Sequence, residues 1–391
     1  MPDFDLIIIG GGIVGASAAL AGVRKGARVA LVDAGLAGRA TDAGAGIVSP
    51  VALDRGEQRP DWTSLITECV GYYHSLLAEL DAVDPAGAGS ATFEQVGELV
   101  VAGDDPHEQA ALDAVAERLS NPEGRRAHGI VKPVETVDGT DLHDYWPELR
   151  GDLRGLFIAE VGRVVGSRLH DRLMTAARRR AQARRDDAGL EVIPGAGILD
   201  LQHSAPRVRV GHRVLDGRSV LLATGAWAGA DLAGFGVEVD IRPIRGQLVH
   251  LRLDGQQTGL RPVVNTPGAG YLLGFDDRIV AGATHEDVGF DSRVTAGGQQ
   301  AVLNAALNLA PGLSAATVLE TRVGLRPATS DGLPLVGPVA PAIHVATGLG
   351  AWGLTLGPLL GELAARHALG DHLPARLDFL SPGRSFPKES A

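Results

Sequence analysis

Residues 5–33, DLIIIGGGIVGASAALAGVRKGARVALVD, constrain this chain more than any other stretch. Residues 6–9 form a short, wholly apolar run of the kind that makes a buried parallel strand. Gly10, Gly12 and Gly15 follow it in the spacing G-x-G-x-x-G. The first allows a tight turn, the second a close approach of backbone to pyrophosphate, and the third close helix–strand packing. Residues 13–25 are Ala-rich and predict a helix that opens with Ile13 and Val14, where unpaired N–H groups face phosphate. Gly26 ends that helix, and 27–32 predict the next strand. Asp33 stands at its end, where a carboxylate accepts hydrogen bonds from ribose hydroxyls and repels a 2′-phosphate. Strand, glycine turn, helix and acid together predict a dinucleotide-binding α/β unit.

A chain of 391 residues exceeds one ordinary core, so two domains are expected. The net charge of −11 argues against a nucleic-acid surface. Cys69 is the sole cysteine, which excludes an internal disulfide and a cysteine metal cluster. It falls in a helix-like segment, 64–80, and reads as a small buried apolar residue. Residues 6–9 are too short for a signal peptide and nothing approaches a membrane span, so a cytoplasmic enzyme is expected. The only lysines are Lys25, Lys132 and Lys388. A Schiff-base lysine therefore has almost nowhere to sit, which argues against pyridoxal-phosphate chemistry. The histidines show no H-E-x-x-H or comparable spacing, so no metal is expected.

Farther along, Arg39-Ala-Thr41-Asp-Ala43-Gly-Ala-Gly46 is a loop of small residues with hydroxyl and arginine donors, able to lie flat against a planar or anionic ligand. A helix is expected over 62–80, with a domain crossing over 81–92. Strands are expected over 93–101 and 130–137, with a helix over 105–119 between them. A helix over 167–185 carries Arg178, Arg179, Arg180, Arg184 and Arg185, read as a solvated face suited to a helix C-terminus. Short strands follow over 190–194, 197–202, 207–210 and 219–222, the last leading into Ala223-Thr224-Gly225-Ala-Trp227. Runs 245–253, 271–273 and 278–283 predict an antiparallel sheet outside the first domain. Residues 295–309 predict an amphipathic helix. The chain closes with a strand over 343–346, a glycine run over 347–353 and a helix to 369.

Six segments in order resemble the flavoenzyme family of D-amino acid oxidase, glycine oxidase, sarcosine oxidase and D-amino acid dehydrogenase. They are IIIGGGIVG near the start, GRVV at Gly162, LLATGAW at Leu221, RGQL at Arg245, GLRPATSDGLPLVGP at Gly324 and ATGLGAWGLTLGP at Ala346. The resemblance covers nearly the whole chain. It implies a Rossmann-like, discontinuous FAD-binding domain of the glutathione-reductase type (1–85, 155–232 and 327–375). An antiparallel-sheet α+β substrate domain (86–154 and 233–326) and a tail (376–391) complete the chain. It also implies non-covalently bound FAD and oxidation of a C–N bond to an imine, which hydrolyses to a 2-oxo acid and ammonia.

By the same resemblance, Ala34 follows Asp33 into the cofactor site. Arg39, Thr41, Ala43 and Gly46 reach pyrophosphate or flavin, and the backbone of Val164 meets the adenine side. Thr224, Gly225 and Trp227 line the cofactor. Gly348, Gly350, Ala351, Trp352 and Gly353, with Leu354 and Thr355, bring a helix N-terminus to the flavin, where its positive end favours the anionic reduced form. Arg326 binds the substrate carboxylate and borders the flavin, and its planar fork suits bidentate pairing. Tyr271 adds its hydroxyl to that carboxylate, while His285 and Trp352 line the pocket. The structural alternative for Arg326 is an ion pair with Asp331 or Glu320.

Glycine oxidases of thiamine synthesis carry an arginine within the last glycine run; residues 349–353 here carry none. That favours a D-amino acid dehydrogenase over a glycine or sarcosine oxidase. Sarcosine oxidases place a lysine near flavin N5, where Val280 stands here, and their covalent-flavin cysteine is missing. Slow reaction with oxygen and faster turnover with a quinone or dye acceptor are therefore expected. The expected partner is a small amino acid or amine; chirality, side chain and oligomeric state stay open. A nicotinamide-dependent dehydrogenase or a flavin-binding protein without amine chemistry remains the alternative of another class.

Overall fold

In the computed structural model, which describes residues 2–51, 59–87, 93–183, 189–200, 206–235, 241–268 and 270–384, the apolar strand β1 (Phe4–Ile9) is buried between two parallel neighbours. These are β2 (Val29–Asp33) and the strand Arg213–Leu222. Leu190–Pro194 continues the parallel sheet beyond β2, and Ile343–Thr347 continues it beyond Arg213–Leu222. The carboxyl ends of these strands, at Ile9, Asp33, Leu222 and Thr347, thus share one edge, which is where open α/β sheets bind ligands. Antiparallel strands Leu335–Ala340, Arg207–Val210 and Gly197–Asp200 bring this sheet to eight strands.

Helix α1 (Ile13–Arg24) is buried along almost its whole length. The sheet covers one side, and the helices Gly353–Ala368 and Gly166–Gln182 cover the others. Small residues make that closeness possible. A side chain at Gly361 would strike the Val14 carbonyl, and one at Gly357 would lie 2.8 Å from Ile13. At the C-terminus of α1, Arg24 pairs with Glu79 and Glu362, tying three helices together where a cation suits the helix dipole.

A second, nine-stranded sheet is largely antiparallel, with Val263–Thr266 running parallel to Glu98–Ala102. Its longest pairing joins Ile241–Arg252 to Thr317–Thr329. A three-stranded sheet of Ile47–Val48, Gly162–Val164 and Phe93–Gln95 links the two halves.

Several elements differ from the sequence expectation. The strand expected over 93–101 is two strands, Phe93–Gln95 and Glu98–Ala102, in different sheets. Gly97, at φ +81°, turns the chain between them. In the 130–137 stretch only Glu135–Asp138 pairs. Arg154–Ile158 belongs to the second sheet although residues from 155 onward were expected with the cofactor domain. Arg179 and Arg180 do not simply face solvent, because they reach Asp84 and Glu79 at 2.8 Å. Cys69 lies fully buried in the helix Pro60–Val83. Arg184, Arg185, Gln202, Lys388 and residues 88–92 of the expected crossing lie outside the described residues.

One core group makes stability depend on pH. His344, on the strand Ile343–Thr347, is buried edge-on against His367 with ring centroids 5.0 Å apart. Burial, and then the neighbouring His367, push its imidazole down to about 4. The folded state therefore prefers neutral His344. Its contribution is fully present above pH 6.5 and is lost as pH falls toward 4, up to ~3 kcal/mol. The Tm of the wild type is expected to fall across that window, and His344→Gln is expected to flatten the fall. An unchanged slope in the variant contradicts the assignment.

Candidate active site

The glycines of the first turn play two separate roles. Gly10 takes φ +106°. Side chains at Gly10 and Gly15 would collide with the Ala223 and Gly10 carbonyls, so both are fixed by packing. Gly12 differs, because a Cβ there would meet only Thr41 Oγ1, at 3.3 Å. The Thr41 hydroxyl accepts a hydrogen bond from Ile13 N at 2.9 Å, which leaves its own proton to donate outward. No acidic residue stands in the first turn of α1, so its positive end is open to an anion.

Asp33 lies over this turn, and a Cβ at Gly11 would come within 2.6 Å of its carboxylate. Arg39 spans the mouth of the turn. Its NH1 donates to Asp33 at 3.1 Å and its Nε to Asp42 at 2.8 Å. His170 Nε2, in a position no sequence signal marked, donates to the Gly11 carbonyl at 2.8 Å. Ala34 is exposed just beyond Asp33.

Val164 sits elsewhere. Its backbone N–H donates to the Gly46 carbonyl at 2.8 Å and it pairs with Phe93 inside the three-stranded sheet. The segment alongside Asp33 is Pro194–Gly195, with Gly195 N donating to the Asp33 carbonyl at 2.8 Å. Pro194 and Gly195, not Val164, border the side beyond the ribose-binding acid.

At the opposite edge of the cleft, Thr347 Oγ1 donates to the Gly225 carbonyl at 2.9 Å, joining two strand ends. Among the described residues, side chains at Gly225, Gly350 and Gly353 would meet nothing within 4 Å beyond their own chain neighbours, whereas one at Gly348 (φ +74°) would press on Thr329 at 2.7 Å. Thr355 Oγ1 donates to the Ile47 carbonyl at 3.2 Å, and Tyr73 donates to the Leu354 carbonyl. Trp352 stands edge-on to Trp62 at 5.8 Å, and Trp227 stacks on Phe290 at 5.6 Å. Ala43 packs 3.0 Å from where a Cβ on Gly324 would stand, so loop and sheet touch there. Gly12, Gly350 and Gly353 each leave room that a side chain would take up, and this fits a dinucleotide with a planar end.

The substrate side is built on one face of the nine-stranded sheet. Cross-strand pairs Asn265–Tyr271, Tyr271–Gly282, Leu248–Gly282, Gly246–Gly324 and Ile244–Arg326 place these residues in register. Two absent side chains make a trough. A Cβ on Gly282 would overlap the Tyr271 ring, and one on Gly246 would overlap the Arg326 guanidinium. Tyr271 and Arg326 therefore lie flat across the sheet and meet, hydroxyl to guanidinium. Burial pushes the Tyr271 phenol up, and Arg326 offsets part of that.

Arg326 is half-buried, and its NH1 donates to the Thr284 carbonyl at 3.0 Å. The ion-pair alternative is overturned. Asp331 is held by Arg384 at 2.8 Å, and Glu320 by Arg322 at 2.6 Å. Among the described residues no carboxylate pairs with Arg326. His285 is exposed beside Thr284.

The motif RGQL acquires a role on the opposite face. Gln247, fully buried, donates to Glu286 at 2.8 Å and to Thr295 at 2.9 Å. Arg245 pairs with Glu286 and Asp291. The Arg245 bond draws the Glu286 carboxyl down to about 2. Thr284 Oγ1 donates to the same carboxylate at 2.6 Å, so this network sets the peptide whose carbonyl holds Arg326. The alternation of Arg245 and Gln247 about Gly246 is the signal that separates the two faces.

The site is that of a flavin-dependent oxidoreductase: the family described as FAD dependent oxidoreductase (DAO) matches residues 5–367, and the chain belongs to it. It is 36% identical over 370 residues to the uncharacterized oxidoreductase YurR of Bacillus subtilis strain 168, covering 93% of this chain and 94% of that protein. It is 28% identical to a glycine oxidase of Pseudomonas putida, covering 86% of each. The crystal structure of iminodiacetate oxidase (IdaA) from Chelativorans sp. BNC1 superposes with a TM-score of 0.85 at 36% identity, over 96% of this chain and 98% of that one. The protein is therefore an FAD-dependent oxidoreductase of that family. Among the described residues no helix is long and apolar enough to cross a membrane, and no group of side chains is suited to hold a metal.

Proposed function

We propose that this enzyme oxidises the C–N bond of a small amine that carries a carboxylate next to the reacting carbon, with a D-amino acid as the leading substrate. The observation that carries the reading is the half-buried Arg326 paired to Tyr271 and to no carboxylate of the described chain. A half-buried guanidinium with no carboxylate partner is suited to an anionic ligand, and a substrate carboxylate supplies one. FAD, when bound, supplies a two-electron acceptor for hydride. Gly12 and Thr41 would hold its pyrophosphate, Asp33 its ribose, and Gly350 and Gly353 would leave room for its ring system. Arg326 and Tyr271 fix the carboxylate and thereby aim the Cα–H. Leu248 and Ile47, packed in one apolar cluster, would help keep water from the reacting carbon. An amine that enters neutral needs no dedicated base, so catalysis rests on positioning and electrostatics. The resulting imine hydrolyses to a 2-oxo acid and ammonia. Likeness to iminodiacetate oxidase favours a second reading, a secondary amine such as an N-substituted glycine. An anaerobic screen with D-, L- and N-methyl amino acids tests both, because only a substrate bleaches the flavin. Bleaching by simple amines alone contradicts the carboxylate reading.

The surroundings of Val280 bear on the electron acceptor. Arg278 and Arg322 line the same small cavity, together with Asp42 and with His250, whose imidazole burial pushes down to about 4. Cationic side chains there would stabilise charge developing on reduced oxygen, and we read oxygen as an efficient acceptor. Peroxide formation in air is expected to keep pace with dye reduction, and Arg322→Met to slow it by roughly tenfold, about 1.4 kcal/mol. A wild-type oxygen rate far below the dye rate restores the expectation drawn from sequence.

A further inference from the structure

The polar row that carries Arg326 and Tyr271 continues to a residue the proposed reaction does not use. Asn265 lies directly across from Tyr271 on the neighbouring strand. Its Nδ2 donates to Glu98 Oε1 at 3.1 Å, and Ser49 Oγ donates to Glu98 Oε2 at 3.0 Å. Glu98 is fully buried in the strand Glu98–Ala102, flanked in register by Val263 and Ile158, neither of which ionises. Ser49 belongs to the segment after Gly46, on the cofactor side, and its hydroxyl also accepts from Val51 N at 3.1 Å. One carboxyl group therefore joins the cofactor-side loop that carries Ile47 to the sheet row on which the substrate carboxylate would sit. A buried carboxyl bonded by two neutral donors is a costly way to build a joint that a leucine pair could make by packing alone.

We propose that Glu98 is a positioning residue of the substrate site. Through Asn265 it sets the row carrying Tyr271 and Arg326, and through Ser49 it sets the facing loop, so that its state of ionisation governs how tightly a carboxylate ligand is held. This rests on the carboxylate-site reading above. Burial pushes the Glu98 carboxyl up to about 6, partly offset by Asn265 and Ser49. Both of those bonds serve the ionised form. The protonated form turns one oxygen into a donor. Ser49 Oγ can accept from it, passing its own proton to the Val51 carbonyl at 3.4 Å. The network thus stays satisfied on both sides of pH 6, and the change it makes is one buried negative charge on the face where a carboxylate binds. A ligand anion is repelled by that charge, and water screens it little.

The test uses the FAD-loaded enzyme and glycolate, an unreactive carboxylate, with binding read from the flavin spectrum between pH 5 and 8. Wild-type affinity is expected to fall about fivefold as pH rises through 6. Glu98→Gln keeps the shape and cannot ionise, so its affinity is expected to follow a profile without that step and to match the low-pH wild type. Asn265→Ala, which breaks the row but leaves Glu98 and Ser49 joined, is expected to raise KM for the amino acid about tenfold with kcat within about threefold. A purely structural glutamate would leave the pH profile of Glu98→Gln identical to the wild type. That result, or an unchanged KM in Asn265→Ala, overturns the proposal alone. Absence of glycolate binding to the wild type overturns the carboxylate-site reading and the proposal with it.

Discussion

Arg326→Ala is expected to lower kcat/KM for an amino acid substrate by roughly 30-fold to several thousand-fold while leaving FAD content nearly unchanged. Truncating one member of a buried, hydrogen-bonded charge pair typically costs ~2–5 kcal/mol, and each ~1.4 kcal/mol is tenfold. The upper part of that range is reached only if the substrate carboxylate is the partner Arg326 lacks in the protein. Tyr271 remains in the variant and holds one oxygen, which limits the loss. Arg326→Lys is expected to recover only part of the activity, because an ammonium keeps the charge but cannot span two oxygens across the trough over Gly246. For the decarboxylated amine of the same side chain the mutation should matter far less. Equal impairment of acid and amine, measured by steady-state kinetics on both, contradicts the clamp. So does loss of FAD.

Gly12→Val is expected to give folded protein that purifies mostly without FAD. The position is not strained, since Gly12 takes φ −70°, and among the described residues the only atom in the way of a Cβ is Thr41 Oγ1 at 3.3 Å. The valine methyls would instead fill the space the pyrophosphate needs and crowd the Thr41 hydroxyl. Gly15→Val is the contrast. Its side chain would enter the Gly10 carbonyl, so that variant is expected to fail by misfolding. Flavin absorbance per protein separates the two from wild type, and circular dichroism separates them from each other. A fully yellow Gly12→Val protein contradicts the assignment of the turn.

The first unit of the fold was legible because its determinants are local. An apolar run, three spaced glycines, an Ala-rich helix and an acid lie within residues 5–33, and each acts on near neighbours. The second sheet was legible only in outline. The break at Gly97 depends on a positive φ that a run of apolar residues does not announce. The site on that sheet was less legible still. Arg326 could be singled out by residue type and resemblance, but its freedom from Asp331 depends on Arg384, which comes 53 residues after Asp331. The trough needs Gly246 and Gly282 to fall under Arg326 and Tyr271, and that follows from the register of four strands. Glu98 reads from sequence as an ordinary glutamate opening a strand. Its burial appears only when Ser49 and Asn265 close over it. Val164 shows the reverse case: a motif placed it near the adenine, while the sheet spends its backbone donor on Gly46.

The most direct measurement is a crystal structure of the FAD-loaded enzyme with glycolate bound. The ligand carboxylate is expected in hydrogen-bond contact with both the Arg326 guanidinium and the Tyr271 hydroxyl, with its hydroxyl-bearing carbon turned toward the flavin ring. A carboxylate bound away from Arg326, with that guanidinium still held only by Tyr271 and the Thr284 carbonyl, would contradict it.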